Sequence, residues 1–247
     1  DIWYTFTSDL KADPFALRHN RTPVTDHSEY DVTGLNGYPL AGNAGTLSNH
    51  GSSRCNLMLV KDGQTFKACL AYEETKGLPD LEEGKTVQYH SFAFNAPPAN
   101  GLDTARSGEA GTQLSDLAEN SRRVRFVTQA PNGVDPAIAI FWRQGEEAKG
   151  APADVMMRVS TTLDGAAVAA APLLNLSSNT PRANDATMLE ATSDNPLENA
   201  LAHRALLRGS MLVVGWSYTP NGPVARYTDL EHFNFWIRRS VDGGVTW

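Results

Sequence analysis

The eight residues Ser240-Val-Asp-Gly-Gly-Val-Thr-Trp247 constrain the fold of this chain more than any other stretch. They fit the pattern Ser-x-Asp-x-Gly-x-x-Trp and follow an alternating, strand-like run, Asn234-Phe-Trp-Ile-Arg-Arg-Ser240. Short Ser and Asp side chains bond nearby backbone N–H groups, paired glycines supply positive φ, and a terminal Trp can turn back onto the core. The pattern therefore predicts a tight reversal closing a strand, and a core made of β structure. It is a folding device, expected to lie away from any chemistry.

This pattern resembles the Asp-box of sialidase-type β-propellers. Weaker versions recur: Asp1-Ile-Trp-Tyr-Thr-Phe-Thr-Ser-Asp9, and Asp154-Val-Met-Met-Arg-Val-Ser160 followed by Thr161-Thr-Leu-Asp164-Gly165. Such self-similarity implies radial repetition with insertions between repeats, against the alternative of three unrelated hairpins. The expectation is a mainly β fold in a single domain over residues 1–247. Its architecture is read as propeller-like or multi-sheet, with long loops, few short helices and the closing box as a hairpin. The resemblance to sialidases stops at the box. Their early Phe/Tyr-Arg-Ile-Pro signature is absent, and Tyr72, beside Glu73 and Glu74, and Tyr89 lack matching partners. The chain is read as non-enzymatic, with glycan binding or hydrolysis as the alternative.

A chain of 247 residues with net charge −7 can bury a sizeable core but carries no basic balance for nucleic acid. No apolar run reaches the ~18 residues of a membrane-spanning helix. The chain opens on a strand-like segment, as expected of a mature, processed protein. Its two cysteines lie in apolar runs, Cys55–Val60 and Phe66–Tyr72, on either side of Lys61-Asp-Gly-Gln64. Antiparallel pairing about Asp62-Gly63 would set the cysteines nearly opposite, so a Cys55–Cys69 disulfide is expected, and with it an oxidising compartment.

Strands are also predicted over residues 1–10, 86–94, 121–128, 137–143, 154–160 and 210–218, with short helices over 114–120 and 196–207. Loops rich in Gly and Pro cover 11–54 and 95–113. Loops this long are usually functional. The paired acids Glu73-Glu74, Glu82-Glu83 and Glu146-Glu147 read as solvated turns. Arg122-Arg123 and Arg238-Arg239 read either as anion binders or as arginines lying along a strand.

Six histidines, His19, His27, His50, His90, His203 and His232, are the main chemical resource, and none forms a compact metal signature. His27 sits in the first long loop, within Thr25-Asp26-His27-Ser28-Glu29, where Asp26 or Glu29 can orient its ring. His50 precedes the Cys55 strand. His90 lies on a predicted strand, on the face opposite Tyr89. A histidine on a strand with another from a loop makes a two-coordinate site suited to copper, nickel or zinc.

Several segments together are similar to the secreted and outer-membrane-associated copper proteins of methanotrophic bacteria related to MopE and CorA. They include Gly42-Asn-Ala44, Leu70-Ala-Tyr-Glu-Glu-Thr-Lys-Gly77, Tyr89-His-Ser-Phe92, Glu119-Asn-Ser-Arg-Arg-Val-Arg-Phe126, Gly145-Glu-Glu147, Asp154-Val-Met-Met-Arg158, Ala202-His-Arg204 and Tyr218-Thr-Pro-Asn221. The resemblance implies a β fold with many loops, a cell-surface location, and capture of copper(I) by two histidines and a tryptophan oxidised to kynurenine. It directs the site to His27 and His90, with His50 as substitute for either. Copper and outer-membrane surface components are the partners it implies. The chain departs from the family in having no Trp-x-His, the pairing that carries the modified tryptophan. A structural surface protein without a small ligand is the third reading.

Overall fold

The computed structural model describes residues 3–4, 9, 11–12, 22–23, 52–75, 85–95, 112–116, 118–145, 153–177, 198–222 and 233–247. The strands are β1 (Trp3–Tyr4), β2 (Thr22–Pro23), β3 (Ser52–Asp62), β4 (Thr65–Thr75), β5 (Lys85–Ala93), β6 (Thr112–Gln113) and β7 (Ser121–Thr128). They continue with β8 (Ile138–Gly145), β9 (Ala153–Ser160), β10 (Leu174–Asn175), β11 (Asn199–Arg208), β12 (Met211–Thr219) and β13 (Asn234–Ser240). One short helix, α1 (Gly165–Ala170), follows β9 and is capped by the Asp164 side chain, which accepts from Ala167 N at 2.9 Å.

Two sheets carry the fold, besides the small β1–β2 pair. One has the order β3-β4-β5-β6 and is antiparallel. The other runs β13-β12-β11-β9-β8-β7, with β10 added to β9, and is a curled, mixed half-barrel. It is mixed because β11 meets β9 in parallel at Asn199 and Ala153. The fold is mainly β and multi-sheet, as the sequence predicts; the described residues show no propeller.

The apolar pattern explains the layering. β8 reads Ile-Ala-Ile-Phe-Trp, almost unbroken, because both its faces are buried. Ile138, Ile140 and Trp142 face Val60, Cys69, Ala71, Val87 and Tyr89 of the smaller sheet, forming one core between the two sheets. Ala139 and Phe141 face inward to the curl, with Val155, Met157, Leu212, Val214, Trp216 and Tyr218.

Three expectations are corrected. Residues 199–208 form β11 rather than a helix, because Gly209-Ser210 turns the chain and pairs Arg208 with Met211. The helix expected over 114–120 is not seen at the described residues 114–116 and 118–120, which are irregular: Leu114 N bonds Val87 O at 2.8 Å, which extends the sheet edge. The Cys55–Cys69 disulfide is absent and both thiols are free. The turn places Asp62 across from Thr65, which sets Met58, not Cys55, opposite Cys69. Cys55 is exposed and Cys69 wholly buried.

Candidate functional sites

His90 lies in the middle of β5, paired across with Leu70. Strand alternation puts it on the face of Ala68, Leu70, Tyr72 and Phe92, opposite Tyr89, as expected. Tyr89 faces the inter-sheet core and donates its hydroxyl to Leu163 O at 2.9 Å. The Tyr72 hydroxyl lies 3.0 Å from His90 Nε2, with the rings parallel to within 3° and their centroids 5.5 Å apart. Burial in this apolar face pushes the His90 pKa down to about 3, so the ring is neutral at any physiological pH. His27 and His50 lie outside the described residues. Among the described residues, no group of three or more His, Cys, Asp and Glu is placed to hold a metal ion.

A second site emerges where three strands lose regular pairing. β3 has a bulge between Ser53 and Asn56, β7 between Arg122 and Arg125, and β11 between Leu201 and Arg204. These three irregularities meet around one cavity of about 280 Å³, lined by Arg54, Cys55, Asn56, Arg123, Val124, Arg125, His203 and Arg204. Bulges turn side chains out of register and recur beside functional sites. Here they bring four arginines to one cavity wall.

Side-chain bonds fix the junction. Asn56 Nδ2 donates to Val124 O at 2.8 Å and to Arg54 O at 3.2 Å, tying the β3 bulge to β7. His203 Nε2 lies 2.7 Å from Arg123 O, joining β11 to β7 across the curl. A carbonyl only accepts, so Nε2 carries the hydrogen; in the neutral ring, Nδ1 keeps a bare lone pair. That Nδ1 is buried and has no hydrogen-bond partner among the described residues. Burial, with the arginines around it, holds the His203 pKa at about 4.

Glu73 supports this junction from within. Its carboxylate accepts from Arg123 N and stands 3.6 Å from Arg54 Nε and 3.5 Å from Lys85 Nζ. Arg54 and Arg123 both adopt positive φ, 54° and 58°, an unusual conformation for side chains of this size. Reading the sequence singled out Arg123 within a possible anion pair but missed the cavity. Arg54, Arg125 and Arg204 are far apart along the chain, and bulges leave no signature in an arginine's neighbours.

The Ser240–Trp247 box behaves as the sequence predicts. Ser240 Oγ accepts from Gly244 N at 2.8 Å and donates to Asp242 Oδ1 at 2.7 Å. Asp242 also accepts from Thr246 N at 2.9 Å and Thr246 Oγ1 at 2.5 Å, and these bonds lower its pKa to about 2. Gly243 and Gly244 have φ of 76° and 92°, and Trp247 packs onto the inner core. The box closes β13 with a tight turn. All its polar groups are spent on the turn.

Asp154 accepts from Ser177 Oγ at 2.9 Å, Glu198 accepts from the Tyr218 hydroxyl at 2.8 Å, and burial raises the Asp154 pKa. Comparison of the chain with protein-family models, curated proteins and solved structures finds no match.

Proposed function

We propose that this is a cell-surface or secreted protein that captures copper(I), with His90 as its fixed ligand and His27 or His50 as the loop-borne partner. The observation that supports this reading is the state of His90: a buried imidazole, neutral, with one nitrogen held by Tyr72. Ligating histidines commonly donate their other N–H to a fixed acceptor, which sets tautomer and ring direction. In the tautomer whose Nε2–H donates to the Tyr72 oxygen, Nδ1 keeps the lone pair that copper(I) requires. Soft, low-coordinate copper(I) accepts two neutral imidazoles and a weak third donor. No Trp-x-His is present to supply the third donor, so none is assigned.

Metal analysis of protein purified without added metal, paired with an intact-mass measurement, tests the proposal. Near-stoichiometric copper is expected; a mass shift on one tryptophan would identify a modified third donor. Absence of copper after reconstitution with copper(I) under reducing conditions would contradict the proposal. Tyr72→Phe should keep the fold and weaken copper affinity about 10-fold or more, measured by competition with a copper(I) chelator.

A further inference from the structure

We propose that the arginine-lined cavity at the meeting of β3, β7 and β11 binds a small oxyanion of the phosphate or sulfate type. Four arginines line it from three strands: Arg54 from β3, Arg123 and Arg125 from β7, and Arg204 from β11, and the charges of the last three act on His203. No carboxylate lines it among the described residues. Arg54 has Glu73 as a partner, and Arg204 donates to His203 O at 2.7 Å. The guanidinium groups of Arg123 and Arg125 make no hydrogen bond or ion pair among the described residues. Burial and the charges of Arg204 and Arg123 also lower the Arg125 pKa. Such crowding is costly without an anion and favourable with one.

The buried wall of the cavity points the same way. His203 is only 1% exposed, and its Nδ1 has no partner among the described residues. The groups around the ring are Arg123 and Arg125 from β7, Arg204 from its own strand, and Phe141 from β8, edge-on at 5.4 Å. An anion beside this ring would favour protonation, and Nδ1–H would become a further donor. Backbone strain is concentrated here as well. The non-glycine residues with positive φ among those described, Arg54 and Arg123, both line the cavity. Strain of this kind persists where the surrounding structure enforces it, and often marks a functional site.

The direction of approach selects the ligand class. A single carboxylate satisfies one guanidinium fork in one plane. Arginines from three strands need acceptor oxygens pointing several ways, which a tetrahedral oxyanion provides. The volume of about 280 Å³ admits the free ion or the ester group of a larger molecule. The overall net charge of −7 makes this basic pocket a local exception, so it is not a general surface field. This inference does not depend on copper binding.

Cys55 provides the readout. It is exposed and lines the cavity, whereas Cys69 is wholly buried. Alkylation of the native protein by iodoacetamide therefore follows Cys55. Sodium sulfate or phosphate, titrated at ionic strength held constant with sodium chloride, should slow this reaction saturably. Arg125→Gln should raise the half-protecting concentration about 10-fold or more. Arg204→Gln, on a different strand, should do likewise, and melting curves establish that each variant is folded. Glucose 6-sulfate and glucose 6-phosphate distinguish the sources: equal protection by ester and inorganic ion indicates a free-ion site, and tighter protection by the ester indicates a substituted ligand. Absence of saturable protection by all four compounds, or protection unchanged in both folded variants, would overturn the proposal.

Discussion

Two buried histidines differ in what holds them, and that difference can be measured. His90 contacts a tyrosine hydroxyl, whereas His203 donates to a main-chain carbonyl. Their folded pKa values lie at about 3 and about 4, below the ordinary 6.5. The unfolded chain therefore takes up protons first as pH falls. Their contribution to stability is whole above pH 6.5 and is lost progressively below it, at a limiting slope of about 1.4 kcal/mol per pH unit for each ring. Urea unfolding at pH 7.5, 6.5 and 5.5 should show stability falling toward acid, above the range where most carboxylates titrate. His203→Gln, which keeps a donor for Arg123 O, should flatten this fall; an unchanged slope would contradict a neutral buried His203. The same depression at His90 means that loss of copper near pH 6 would report protonation of the loop histidine. The sequence placed His90 on the correct strand face but gave no sign of Tyr72 as its partner, since that contact depends on the β4–β5 register.

At the scale of elements, alternation and turn chemistry were readable, and local propensity misled. β7, β9, β12 and β13 follow from apolar alternation, and β8 from an apolar run flanked by turns. Asn199–Arg208 is rich in Ala, Leu and Arg, good helix formers, yet it pairs with β12. The overlooked signal was Gly209-Ser210, a two-residue hairpin turn between two apolar segments. The disulfide expectation failed by register: moving the turn centre by one residue shifts every cross-strand partner. The closing box was legible because all its bonds are local. Asp242→Ala should lower the melting temperature and leave copper and sulfate binding unchanged; lost binding at constant melting temperature would move the box into a site. Replacing Trp142, wholly buried between the sheets, by alanine should cost about 3–5 kcal/mol in urea unfolding. A loss below ~1 kcal/mol would mean that the inter-sheet core is not a shared one.

At the scale of the molecule, two sheets share one core, and each presents a different chemistry. The smaller sheet shows the His90–Tyr72 pair on the face turned away from that core. The arginine cavity forms where its edge strand β3 meets β7 and the curl. The cavity was illegible in sequence because its members come from segments about 70 and 80 residues apart and depend on three separate bulges. The central claim remains capture of copper(I) at His90. Copper content should be measured side by side in the wild-type protein, His90→Ala and His203→Gln, each reconstituted with copper(I) and checked for folding. The account predicts stoichiometric copper in the wild type and His203→Gln, and little or none in folded His90→Ala. Stoichiometric copper in His90→Ala would contradict it.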